Sequence, residues 1–253
     1  MSVMVALWKE TLEQWRTYRL LAVVVVLGVF GLLSPLIAKL TPELVRLVPG
    51  GEQLSLLVPP PTMADAVAQY VKNIGQFGVI LALLLTMGAV AQEKDKGTAA
   101  MVLVKPLARS AFLVCKFAAL GVTFASGLAV AGLGCYYYAL LIFGRLSVPG
   151  WVALNGLLLV HTLVYVALTL LCSTFSRSQA MAGGATVGLL AILLALGAFP
   201  PLGKWLPGSL LAWGTRLALA QAGDAAWGAL WVSMGIVASS LVGAWLIFRR
   251  QEL

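Results

Sequence analysis

Six uncharged stretches, each of 19 residues or more, alternate with charge-bearing segments along the chain: 20–38, 73–92, 117–144, 146–176, 178–203 and 225–248. At about 1.5 Å of rise per residue, even the shortest is long enough as a helix to cross a hydrocarbon layer of roughly 30 Å. The pattern predicts an all-α polytopic membrane protein, one transmembrane domain over 1–253, with transmembrane helices at 20–38, 73–92, 117–138, 151–175, 179–200 and 226–248. As a single helix the third stretch would exceed the membrane, so Tyr136, Tyr137 and Tyr138 are read as the aromatic belt that ends it. Trp151 is expected at the same interface on the fourth span, with Trp227 and Trp231 on the sixth. Pro200 and Pro201 are expected to close the fifth.

Between the spans the pattern changes. Residues 2–18 place Met4, Leu7, Trp8, Leu12 and Trp15 at helical spacing, with Lys9, Glu10, Glu13 and Arg16 on the other face. This predicts an amphipathic helix in the membrane interface. In the long segment from Lys39 to Lys72, Pro42, Pro49, Gly50, Gly51 and Pro59–Pro61 are expected to divide the chain, and Thr62 to cap a short helix to Tyr70 with Asp65 at its third position. Glycine, proline and tryptophan mix between Pro201 and Ala225, predicting a re-entrant stretch before the sixth span. Gly184 and Gly188, and then Gly235, Ser239 and Gly243, repeat at four-residue spacing. They suit close helix packing, within one subunit or across a dimer seam.

Composition agrees: 61% hydrophobic and 10% charged residues, with a mean hydropathy of +0.98, exclude a soluble globular protein. The net charge of +8 is distributed. Eleven of the 17 Lys and Arg fall on one side of the predicted membrane: Lys9, Arg16, Arg19, Lys94, Lys96, Lys105, Arg109, Lys116, Arg177, Arg249 and Arg250. The positive-inside bias makes that side the cytoplasm, with both termini inside. The charge thus reads as topology and attraction to anionic lipid, not as a nucleic-acid footprint. The late start of the first apolar run, at Leu20, predicts no cleavable signal peptide.

Reactive chemistry is sparse. Cys115, Cys135 and Cys172 lack C-x-x-C spacing and read as small core residues, and neither H-E-x-x-H nor a phosphate-binding G-x-x-x-x-G-K-[ST] loop is present. No catalytic residue, metal site or cofactor is predicted. His161, the single histidine, falls near mid-membrane, where it makes either a helix-to-helix hydrogen bond or part of a substrate path. An enzyme pairing it with Cys172 is excluded, because eleven positions span about 16 Å of helix. The spans hold no mid-depth acid, so energy for transport is expected from elsewhere. The alternatives are an ion-coupled or passive transporter, or a non-transporting anchor for a cytoplasmic complex.

Segment 93–111 carries the densest charge. Glu93–Lys96 alternate in sign, Gly97 turns the chain, and Thr98 caps a short helix over Ala99–Val104. Its apolar Met101, Leu103 and Val104 need cover, Pro106 ends it, and Lys105 and Arg109 stay wet. By composition alone the segment serves equally well as a topology loop. The string Glu93, Gly97, Thr98, Pro106, Arg109 and Lys116 resembles the E-x-x-x-G-T … P-x-x-R … K segment between the second and third spans of ABC-2 type permeases, the transmembrane subunits of bacterial ABC exporters. It is most similar in style to the small permeases that include the nitrous oxide reductase maturation permease. It departs from many relatives in having Ala99 and Ala100 where an acidic residue follows the Gly-Thr pair. The resemblance implies a permease in the inner (cytoplasmic) membrane that forms a homodimer, or a heterodimer with a second permease. It also implies two copies of a cytoplasmic ABC ATPase subunit docked on Glu93–Arg109, the coupling helix.

Overall fold

The computed structural model describes residues 3–47, 59–92, 109–144 and 146–250, and among them the chain is helical without strands. Its helices are α1 (Val3–Arg16), α2 (Arg19–Arg46), α3 (Met63–Thr86), α4 (Arg109–Phe143), α5 (Val148–Phe175), α6 (Gln179–Gly197), the short α7 (Pro200–Gly203), α8 (Gly208–Ala218) and α9 (Trp227–Arg249). Six of these, α2 to α6 and α9, are long and apolar enough to cross a membrane. The protein is a multi-pass membrane protein of helical architecture.

Several helices overrun the predicted spans. Helix α2 continues past Ala38 through Pro35 and Pro42 to Arg46, so Pro42 lies inside a helix and divides nothing. A proline costs one backbone hydrogen bond, and hydroxyls supply others: Ser34 Oγ donates to the Phe30 carbonyl at 2.6 Å and Thr41 Oγ1 to that of Ile37 at 2.8 Å. The Thr62 cap opens no separate short helix but the span itself, since α3 runs unbroken from Met63 past Lys72. The Asp65 carboxylate accepts from the Thr62 N–H at 2.8 Å and from its hydroxyl at 2.7 Å. Helix α4 starts at Arg109, which puts Lys116 within it. Pro200 opens α7 instead of ending α6.

The core forms around α5, the most buried span, while α6 and α9 are the least covered. Two glycines set the closest approaches. A Cβ on Gly31 of α2 would stand 2.5 Å from the Ala131 carbonyl oxygen of α4, and one on Gly150 of α5 would collide with the Leu217 carbonyl of α8. Only hydrogen at these positions lets the backbones meet. By contrast, a Cβ on Gly184, Gly188 or Gly235 would meet nothing within 4 Å.

Polar side chains stitch the same core. Tyr70 donates to Asn155 Oδ1 at 2.6 Å, Asn155 Nδ2 donates to the Trp151 carbonyl at 2.9 Å, and the Trp151 indole donates to the Gly132 carbonyl at 3.1 Å. Asn73 Nδ2 donates to Ser34 Oγ at 3.0 Å. Trp151, in the first turn of α5, is a buried core residue: its ring lies 4.9 Å from that of Tyr70 and 6.3 Å from that of Tyr136. A donor in an apolar core costs less when bonded to a carbonyl than when left unpaired. Trp227 and Trp231 are exposed.

Candidate functional site

Residues Glu93, Gly97, Thr98, Met101, Leu103, Val104 and Pro106 lie outside the described residues, and Arg109 is described as backbone alone, the first residue of α4. The two ends of this segment are described, and both are held.

At the entry, α3 gives way at Met87 to a turn through Val90, followed by Ala91 and Gln92. A chain leaving a helix exposes backbone groups that need partners. Ser173, near the end of α5, supplies them. Its Oγ accepts from the N–H groups of Val90 and Ala91, each at 3.0 Å, and donates to the Met87 carbonyl at 2.9 Å. Ser173 is completely buried, so water does not compete for these bonds.

At the exit, the first turns of α4 enter a second apolar cluster. Phe112 and Leu113 pack with Ala89 and Val90 from the entry turn, Leu170 of α5, and Ala244 and Phe248 of α9. The Phe112 and Phe248 rings stack at 5.6 Å. Entry and exit thus converge in one small core, built by the entry turn and three helices, α4, α5 and α9.

One turn further into α4, Lys116 Nζ lies 3.0 Å from Glu10 Oε2 and 4.9 Å from the centre of the Phe112 ring. Both ionised side chains are about 5% exposed. Glu10 belongs to α1, where it was expected on the wet face. The buried stripe of α1 is instead Ala6, Glu10 and Gln14, whereas Met4, Val5, Trp8 and Trp15 are exposed. The polar stripe faces protein because Lys116 is there to meet it, and the apolar side is left to the surroundings. The four-residue spacing of a small residue, an acid and an amide, Ala6, Glu10 and Gln14, was the available signal.

His161 is elsewhere in the bundle. Its Nδ1 is 3.1 Å from the Pro207 carbonyl, which can only accept, so Nδ1 carries the proton. The imidazole meets the Tyr165 ring edge-on at 4.9 Å. The hydrogen bond pins α5 to the turn before α8. A cavity of about 370 Å³ adjoins it, lined by Tyr165, Leu193, Leu194, Leu206 and Pro207 among others. Among the described residues, no three of His, Cys, Asp and Glu gather as metal ligands would.

Residues 4–203 match the model of a family described as ABC-2 family transporter protein. The chain belongs to that family. The matched stretch runs from α1 to the end of α7 and includes Ser173, Phe112 and Leu113, whereas this ABC-2 transporter's α8 and α9, and with α9 the Ala244 and Phe248 side of the exit cluster, lie beyond it. The chain is also similar to the uncharacterized transmembrane protein YxlG of Bacillus subtilis (strain 168), with 29% identity over 219 residues that cover 83% of each protein. An ABC-2 membrane domain is a transport component, and its family implies partnership with an ATPase subunit.

Proposed function

We propose that this chain is the transmembrane permease subunit of an ABC exporter in the cytoplasmic membrane, and that ATP is hydrolysed by a separate cytoplasmic ATPase. Two ATPase copies serve a homodimer, or a heterodimer with a second permease, and both termini face the cytoplasm. Segment 93–111 is the coupling element: Met101, Leu103 and Val104 seat in the ATPase, Glu93, Gly97, Thr98, Pro106 and Arg109 shape and rim the contact, and the cavity beside His161 lies on the substrate path.

One observation carries this reading, namely the fixing of both ends of the segment to the bundle. A loop that only set topology would need no such anchoring. Here a push on 93–108 reaches α3 and α5 through Ser173, and α4 and α9 through the Phe112–Phe248 cluster. Rigid packing passes displacement on because a close-packed core does not deform continuously. The contact itself is apolar: burying three such side chains gains about 1.5 to 3 kcal/mol each before ordering costs, against about 0 to 1 for an exposed ion pair.

The test is co-purification of the ATPase with the chain, together with permease-stimulated ATP turnover in liposomes. Leu103→Asp is expected to weaken association strongly, Gly97→Val to uncouple stimulation even where association survives, and Lys94→Ala to matter little. Wild-type behaviour of Leu103→Asp would reduce the segment to a topology loop.

A further inference from the structure

We propose that the Glu10–Lys116 ion pair is a register pin, which fixes the axial position of α1 on α4 and makes the two helices move as one body. The rest of the seam specifies position poorly. The buried stripe of α1 offers Ala6, with a single methyl group, and Gln14, whose Oε1 is buried and has no hydrogen-bond partner among the described residues. Neither defines a unique seat. Glu10 does, because its carboxylate meets Nζ of Lys116 at 3.0 Å in a place closed to water.

Stability alone does not account for the pair. Two charges lose their hydration on entering a dry seam, and apolar side chains of similar volume are often as stable there. What an apolar pair lacks is a penalty for being out of place. A slip of one helical turn, about 5.4 Å, would leave a carboxylate and an ammonium buried apart, whereas two methionines would re-pack. Buried ionic and polar pairs are best attested in this use, the setting of register.

The position of the pin gives it a consequence. Lys116 lies about two turns inside α4 from Arg109, and the Phe112 ring that packs against Phe248 also covers the Lys116 ammonium. Whatever moves the exit of segment 93–108 therefore moves Lys116, and through Glu10 moves α1. Helix α1 exposes Met4, Val5, Trp8 and Trp15. That consequence rests on the reading of the segment as a coupling element; the pin itself does not.

The experiment places spin labels at Met4 on α1 and Val122 on α4, both exposed, in nanodiscs; the native Cys115, Cys135 and Cys172 are buried. Pulsed dipolar distances are compared for wild type, Glu10→Gln, the charge exchange Glu10→Lys with Lys116→Glu, and the apolar pair Glu10→Met with Lys116→Met. Wild type and the exchange are expected to give one narrow distance. The apolar pair is expected to remain folded and to show a shifted or split distribution, with displacements up to about one turn of helix, 5.4 Å. Glu10→Gln should broaden it, and should it fail to fold, the apolar pair decides. A wild-type distance in the apolar pair overturns the pin, because packing alone would then set register. Stimulated ATP turnover on the same variants separates the two ideas. If wild type binds no ATPase while the distances behave as expected, the transporter reading fails and the pin stands.

Discussion

The hydroxyl of Tyr70 on α3 donates a 2.6 Å hydrogen bond to Oδ1 of Asn155 on α5, and Asn155 is held in turn by the Trp151 carbonyl. Tyr70 is fully buried, so its bond has no competitor. Tyr70→Phe is expected to lower stability by about 0.6 to 2 kcal/mol, the range for a hydrogen bond between transmembrane helices. Thermal unfolding of the detergent-solubilised protein, followed by tryptophan fluorescence, reads the loss. No change would mean that ring packing on Trp151, not the hydroxyl, holds the contact.

Ser173→Ala removes three hydrogen bonds at the entry to the charged segment. Each buried group left unpaired costs about 1 to 3 kcal/mol, though the cost is local to the turn from Met87 to Ala91. The expected result is a protein that assembles normally, with faster amide hydrogen exchange at Val90 and Ala91 and weaker ATPase stimulation. Unchanged exchange at these two amides would show that the serine is dispensable.

Gly31 and Gly188 make a matched comparison. Gly31→Leu drives a side chain into the Ala131 backbone, where a Cβ alone would come within 2.5 Å, and should cost at least about 1 to 3 kcal/mol by forcing α2 from α4. Gly188→Leu meets open space within the chain and should leave monomer stability near wild type. Should Gly188→Leu disturb only the dimer, as measured by size-exclusion chromatography with light scattering, α6 is the seam between copies.

His161→Ala breaks the bond to the Pro207 carbonyl and is expected to cost about 0.6 to 2 kcal/mol of stability while most transport survives. Loss of transport in a normally assembled variant would show that the imidazole itself contacts substrate in the adjoining cavity, and does more than hold α5 to Pro207.

Orientation is tested by labelling. Probes at Lys105 and after Leu253 are expected to report cytoplasm, and one at Gln53 the opposite side, as the Lys and Arg distribution requires. Labelling of Lys105 from outside would invert the arrangement.

The existence and number of the spans were legible in the chain because membrane insertion is a local property: about twenty apolar residues bring enough hydrocarbon to cross, whatever their neighbours. The family was legible too, through the Glu93–Lys116 string. Helix ends were less so. Pro42 and Lys72 look like boundaries in sequence, yet α2 runs through the proline to Arg46, and α3 runs through Lys72, whose side chain faces outward.

Partners were not legible at all. Trp151 has the side chain of an interface marker, and only the arrival of Tyr70 and the Gly132 carbonyl makes it a core residue. Glu10 reads as a surface acid on an amphipathic helix, and Ser173 as one more small residue near a helix end. Each becomes a joint when a residue 106 or about 83 positions away meets it. Hydrophobicity is summed along the chain and can be read there, whereas a hydrogen bond or ion pair needs two groups within about 3 Å, and that proximity is decided by the packing of helices.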